Sequence, residues 1–186
     1  DQKASGDDLT QTNAANQPLY VASHSGFNNR ACIHLDSAIK GMVGTLNVVR
    51  PYSIVVVEDD DGVGSARTVT AYTGTGGFVN NLICANRVGL TVFRGGSVST
   101  AQTAAACVTV LTGPSSGNHA AYCNGSNTTT GTVASGDWQK IALGKAPSPG
   151  GTEGAITKVF ALLVYNIALS AGDVAAIQTA LAPASL

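Results

Sequence analysis

Ile156-Thr157-Lys158-Val159-Phe160-Ala161-Leu162-Leu163-Val164-Tyr165, followed closely by Leu169-Ser170-Ala171-Gly172-Asp173-Val174, is the stretch from which the fold is read. Alternate residues of a strand share a face. One face here holds Ile156, Lys158, Phe160, Leu162 and Val164; the other holds Thr157, Val159, Ala161, Leu163 and Tyr165. Both faces are largely apolar, so both sides of this strand need cover. The residues that follow can supply one cover. Ser170 suits a helix N-cap and Asp173 stands three residues on, in capping-box spacing. Leu169 and Val174 occupy the two positions of a hydrophobic staple. Val174, Ile177 and Leu181 form an apolar stripe, and Pro183 ends the run. The spacing predicts a helix over about residues 171–181.

Upstream, apolar runs alternate with turn chemistry. Leu19–Val21, Ala31–Leu35, Met42–Val49, Tyr52–Val57, Arg67–Tyr72, Phe78–Ala85, Gly89–Phe93, Cys107–Leu111 and Ala120–Cys123 read as strands. Glu58-Asp59-Asp60-Asp61-Gly62 is expected to stop the strongest of them as a solvated hairpin tip. Asn124-Gly125 is a type I′ turn signal leading into the Thr-rich stretch Asn127–Val133. Residues 1–17 are polar and read as a lead-in, and Lys145–Thr152 reads as a surface loop. About ten strands and one late helix predict an all-β fold: a two-sheet antiparallel sandwich within one domain spanning residues 1–186.

Composition narrows the function. Only 11% of the 186 residues are charged, against roughly 25% in an average soluble domain. The formal net charge is −1, and the ten Lys and Arg residues are scattered, so nothing resembles a nucleic-acid-binding patch. No apolar run approaches the roughly 18 residues of a membrane span. The four cysteines form no CxxC and have no His at metal-ligand spacing, which argues against zinc. Cys107 and Cys123 are equidistant from Ser115, inside the turn-rich run Gly113–Asn118. A symmetric hairpin centred there would place them opposite one another as a candidate disulfide; otherwise they are small buried hydrophobes.

The order of these pieces resembles the concanavalin A-like jelly roll, in particular its laminin-G-like branch. The resemblance rests on Asp1-Gln2-Lys3-Ala4-Ser5-Gly6 with Thr10-Gln11 and Asn16-Gln17-Pro18, on Ala31–Asp36, on Tyr122-Cys123-Asn124-Gly125, and on Ile141–Gly144 with Gly154–Ser170. There are departures. The family often has a Trp and a strand before the Asp-Gln opening, whereas this sequence begins at Asp1, so the expectation is an edge strand that is either missing or supplied by a preceding segment or a neighbouring chain. Lys158 stands where the family usually has an acid.

Some relatives of this kind are glycoside hydrolases, which need two carboxylates roughly 5–10 Å apart. The sequence has two glutamates, Glu58 and Glu153, in no such pattern, and the three consecutive aspartates do not line one strand face. No serine-hydrolase elbow accompanies His24, His34 or His119. The resemblance also implies a rim calcium, for which Asp59, Asp60 and Asp61 are the candidates; no other cofactor is suggested. For a glycan, Trp138 with Asp137 beside it and the amide of Asn124 are the candidate contacts, although Trp138 can equally cap the core. Asn124-Gly125-Ser126 and Asn127-Thr128-Thr129 are sequons. The expectation is therefore a non-enzymatic binding or adhesion module of a virion or extracellular assembly. Its partners would be a glycan or cell-surface polysaccharide and neighbouring subunits, with no nucleic acid and no membrane insertion. The alternatives are a purely structural coat or fibre domain and, less favoured, a glycoside hydrolase relative.

Overall fold

The computed structural model describes residues 8–37, 39–60, 68–72, 82–87, 90–94, 98–100, 106–124, 127–131, 138–144 and 156–182. In chain order the strands are β1 (Leu19–His24), β2 (Arg30–Leu35), β3 (Gly41–Val48), β4 (Tyr52–Asp60), β5 (Val69–Tyr72), β6 (Leu82–Arg87), β7 (Leu90–Arg94), β8 (Val98–Thr100), β9 (Ala106–Gly113), β10 (His119–Cys123), β11 (Asn127–Gly131), β12 (Trp138–Gly144) and β13 (Thr157–Tyr165), followed by helix α1 (Ala171–Ala180). They build two antiparallel sheets. One runs β1-β2-β13-β4-β9-β10-β11, and the other β3-β12-β5-β6-β7-β8. The expected all-β sandwich with one late helix is the observed architecture.

Two apolar clusters hold it together. Leu35, Tyr52, Ile54, Val56, Leu111 and Val159 of the first sheet meet Val48, Val69, Ile141 and Leu143 of the second. The other face of the seven-stranded sheet carries Cys32, Val55, Val57, Val108 and Val110, and it packs against Val174, Ile177 and Leu181 of α1. The turn between β1 and β2 folds over the same face, burying Phe27 in that cluster, where it stacks on Phe160. Its Asn28 Nδ2 donates to Ala182 O beyond the helix. The central strands β13 and β4 are thus covered on both faces, as the apolar content of β13 requires.

The face assignment of β13 differs in one respect from strict alternation. The β4–β13 register shifts between Val159 and Ala161, a bulge at Phe160. Val159 therefore joins Leu162 and Val164 in the inter-sheet core, while Phe160 and Ala161 both face the helix side.

The helix begins as its local signals predict. Ser170 Oγ accepts from the Asp173 N–H, and the Asp173 carboxylate accepts from Ser170 N–H and Oγ–H. Those hydrogen bonds hold the Asp173 carboxyl below its ordinary range. Two further ties dock the helix. Ser53 Oγ donates to Ile167 O and accepts from Leu169 N–H, and buried Gln178 Nε2 donates to Val108 O. Ser170→Ala removes the cap and is expected to lower stability by about 1 kcal/mol in urea titrations.

The polar lead-in has a defined job. Thr10 and Val43 exchange both backbone hydrogen bonds, and Gln11 Nε2 donates to Gly41 O, so this segment caps the outer edge of β3. At the other side of the sandwich β8 lies against β11.

Candidate functional site

One end of the sandwich gathers the starts of β4, β10 and β12 with the ends of β3, β9 and β11. Pairing of Trp138 with Val48, of Tyr52 with Gly113 and of His119 with Gly131 brings them together. Arg50, Tyr52 and His119 form the polar centre of this end. His119 and Tyr52 are buried, and the Tyr52 hydroxyl and His119 Nε2 share a hydrogen bond of 3.1 Å. Arg50 Nη2 lies 3.2 Å from both His119 ring nitrogens. A nitrogen equidistant from Nδ1 and Nε2 would overlap Cε1 if it lay in the ring plane. It therefore sits over the face of the ring, a contact suited to a weakly hydrated guanidinium. Burial, and then the Arg50 charge, push the His119 pKa down to about 4, so the ring is neutral at pH 7.

Gly113 makes room for this arrangement. A Cβ there would stand 2.7 Å from His119 Nε2 and 2.9 Å from Tyr52 Cζ. Around the centre lies an exposed rim. It comprises Ser115, Ser116, Gly117 and Asn118, with the apolar side chains of Val49 and Ile167 about half exposed. Hydroxyls, an amide, a cation and apolar surface at one place are the chemistry that recognises a polar organic ligand such as a sugar.

The residues expected from sequence fare differently. Trp138 opens β12 at this end; Asp137 lies outside the described residues. Asn124 is at the opposite end. It takes φ 47° and closes the β10–β11 hairpin, with three residues between the paired Cys123 and Asn127 rather than the two of a type I′ turn. Its Oδ1 accepts from Val108 N–H at 2.8 Å and its Nδ2 points to Ala106 O at 3.5 Å. Val108 is five strand residues from Gly113, roughly 17 Å. Asn124 is therefore a hairpin cap, at the end of the sandwich opposite the start of β12.

Within the acidic run, Glu58 and Asp59 are strand residues rather than part of a solvated tip. β4 continues to Asp60, because within the seven-stranded sheet Glu58 pairs with Val159 of β13 and Cys107 of β9 on its two sides. Its carboxylate is fully buried and accepts a hydrogen bond from Thr68 Oγ1. Asp59 faces the helix side, 3.9 Å from His24 Nδ1 beneath the β1–β2 turn. A Cβ on Gly26 would lie 2.7 Å from that carboxylate, so the turn is clamped closely onto it. Asp60 is the last residue of β4, and Asp61 lies outside the described residues. Among the described residues no three His, Cys, Asp or Glu side chains are placed to hold a metal.

The candidate disulfide is likewise corrected. The β9–β10 hairpin is centred one residue beyond Ser115, so Cys123 pairs with Thr109 and Cys107 sits diagonally on the same face. Both remain thiols. Cys107 Sγ lies 3.5 Å from Thr109 Oγ1. A hydrogen bond to Cys123, burial and the nearby Glu58 charge all push the Cys107 thiol pKa well up.

Arg50, Tyr52 and His119 were not singled out from sequence. The available signal was His119 itself, which alternates with Ala121 and Cys123 on an otherwise apolar face.

No protein-family model matches the chain, and no curated protein matches it in sequence. Solved structures do match in fold. Trypanosoma rangeli sialidase in complex with sialic acid superposes with a TM-score of 0.61 at 15% identity, covering 79% of this chain. This chain spans 27% of the sialidase's length. A heptameric SAP-like pentraxin from Limulus polyphemus gives 0.55 at 14% identity over 72% of each chain. Botulinum neurotoxin type C, which depends on interaction with two ganglioside molecules to enter cells, gives 0.55 at 12% identity over 76% of this chain and 40% of its own. These likenesses show the fold alone, a two-sheet antiparallel jelly-roll sandwich.

Proposed function

We propose that this chain is a non-enzymatic glycan-binding module of the laminin-G-like branch, displayed on an extracellular or virion surface. Its binding site is the sandwich end built by Arg50, Tyr52, His119 and the start of β12. The observation that carries this reading is the convergence there of a half-buried cation, exposed hydroxyls and amide, and exposed apolar side chains. The fold shared with a pentraxin and a ganglioside-dependent toxin supports it. In this reading Trp138, which opens β12 at this end, is the candidate aromatic contact. A carbohydrate array probed with the purified chain is expected to give a discrete set of bound glycans. Trp138→Ala is expected to weaken that binding about tenfold, or about 1.4 kcal/mol. Unchanged binding would remove Trp138 from the site.

The absence of glycosidase chemistry in this reading is supported by Glu58. Most glycoside hydrolases need two carboxylates that both reach the sugar. Glu58 is sealed between the sheets with no exposed surface. Fluorogenic glycosides of neutral sugars are expected to release no dye above the uncatalysed rate.

A structural role in an assembly is the second reading, and β1 favours it. This edge strand carries no Lys, Arg, Asp or Glu, and it leaves Tyr20 75% and Leu19 48% exposed. Natural sheet edges are usually guarded by charge or a bulge; here a bulge interrupts only the far half, between Val21 and His24. Light scattering decides whether copies associate. Tyr20→Lys is expected to abolish any association that runs through this edge.

A further inference from the structure

We propose that Arg50, seated on the face of His119, is an anion-recognising residue, and that the glycan taken at this end is a carboxylated one. The proposal rests on the glycan-binding reading and names the ligand class for that site.

The geometry supports it in three ways. First, the contact with His119 is with a neutral ring, so it orients the guanidinium without cancelling its charge. Arg50 makes further contacts as well, but a guanidinium carries five N–H donors and serves several partners at once. Second, the platform is rigid. His119 is buried, hydrogen-bonded to Tyr52 and pressed against Gly113, where no Cβ would fit. A cation held on such a support loses less conformational freedom when it binds. Third, Arg50 is only partly exposed. Charge-assisted hydrogen bonds gain strength as solvent is withdrawn, and the planar donor fork matches a planar carboxylate in two parallel bonds. The exposed Ser115, Ser116 and Asn118 beside it supply partners for the hydroxyls of the same sugar. His119 and Tyr52 are positioning residues in this scheme, and Arg50 makes the contact.

The test uses the full chain and pairs of polymers that differ only in charge. Polygalacturonate and hyaluronan are each compared with their methyl-esterified forms, in which the backbone is kept and the carboxylate is blocked. The expected result is binding of at least one free acid and at least tenfold weaker binding of its ester. Arg50→Lys keeps the charge but loses the fork, and is expected to weaken acid binding about tenfold with an unchanged melting temperature. Arg30→Gln, on the helix-covered face of the seven-stranded sheet, is expected to leave binding unaltered. His119→Phe keeps a flat support and is expected to retain more binding than His119→Ala. Equal binding of acid and ester, or binding of neutral glycans alone on the array, overturns the carboxylate assignment and leaves the glycan reading standing. Equal loss in Arg50→Lys and Arg30→Gln overturns the role of Arg50. Binding to no glycan of any kind overturns both.

Discussion

Gly144→Ala is expected to destabilise the fold by about 2–5 kcal/mol, the sum of a left-handed backbone penalty and an overpacked core. Gly144 ends β12 at φ 77°, and its N–H donates to Thr68 O at 2.8 Å. A Cβ there would stand 2.6 Å from Lys40 O and 2.9 Å from Leu35 Cδ2. The first obstacle is backbone, held by the β3–β12 pairing, and the second is a fully buried core side chain. Neither yields cheaply. Gly117→Ala is the internal control. Its φ of 88° is equally unfavourable for alanine, but a Cβ there meets nothing within 4 Å. It should cost about 1–2 kcal/mol, the backbone penalty alone. Urea titrations of both variants separate strain from packing. Equal losses would mean that the region around Gly144 relaxes freely.

Acidification is expected to remove about 3 kcal/mol of stability through His119. Its pKa is lowered to about 4 in the folded chain, against an ordinary value of 6.5. Between these values the unfolded chain binds a proton that the folded chain refuses. Stability therefore falls as pH drops from about 6.5 to about 4 and levels off below. The cause is local: a protonated ring would be buried against the Arg50 guanidinium. Carboxylates also titrate in this window, so the informative quantity is the difference between the wild type and His119→Gln, measured at pH 7 and pH 4. The variant should lack the His119 step. An identical acid loss in both proteins would place the titrating group elsewhere.

The parts of this molecule legible in sequence are those set by local chemistry. The helix cap at Ser170, the staple between Leu169 and Val174, and the two apolar faces of β13 are readable because their partners lie within a few residues or follow from periodicity. Features set by distant partners were not readable. Asp59 and Asp60 look like turn residues, yet they lie in a strand because β13 pairs with both and β9 pairs with Asp59 from the other side. The burial of Glu58 depends on Thr68 across the sandwich. The bulge at Phe160 moves Val159 to the other face without any mark in the sequence. A shift of one residue in the hairpin centre set Cys123 against Thr109 instead of Cys107. The candidate site follows the same division. Trp138 stood out by type, whereas Arg50 of the β3–β4 connection, Tyr52 of β4 and His119 of β10 are joined only by the tertiary fold.

The account turns on where a glycan sits. Nitrogen-15 amide spectra of the labelled chain, titrated with the glycan bound most tightly on the array, answer that directly. The prediction is that perturbations concentrate at residues 49–52, 113–119, 131 and 138–139, at the Arg50 end of the sandwich. Perturbations centred on Asn124, or on Asp59 and the β1–β2 turn, would contradict it.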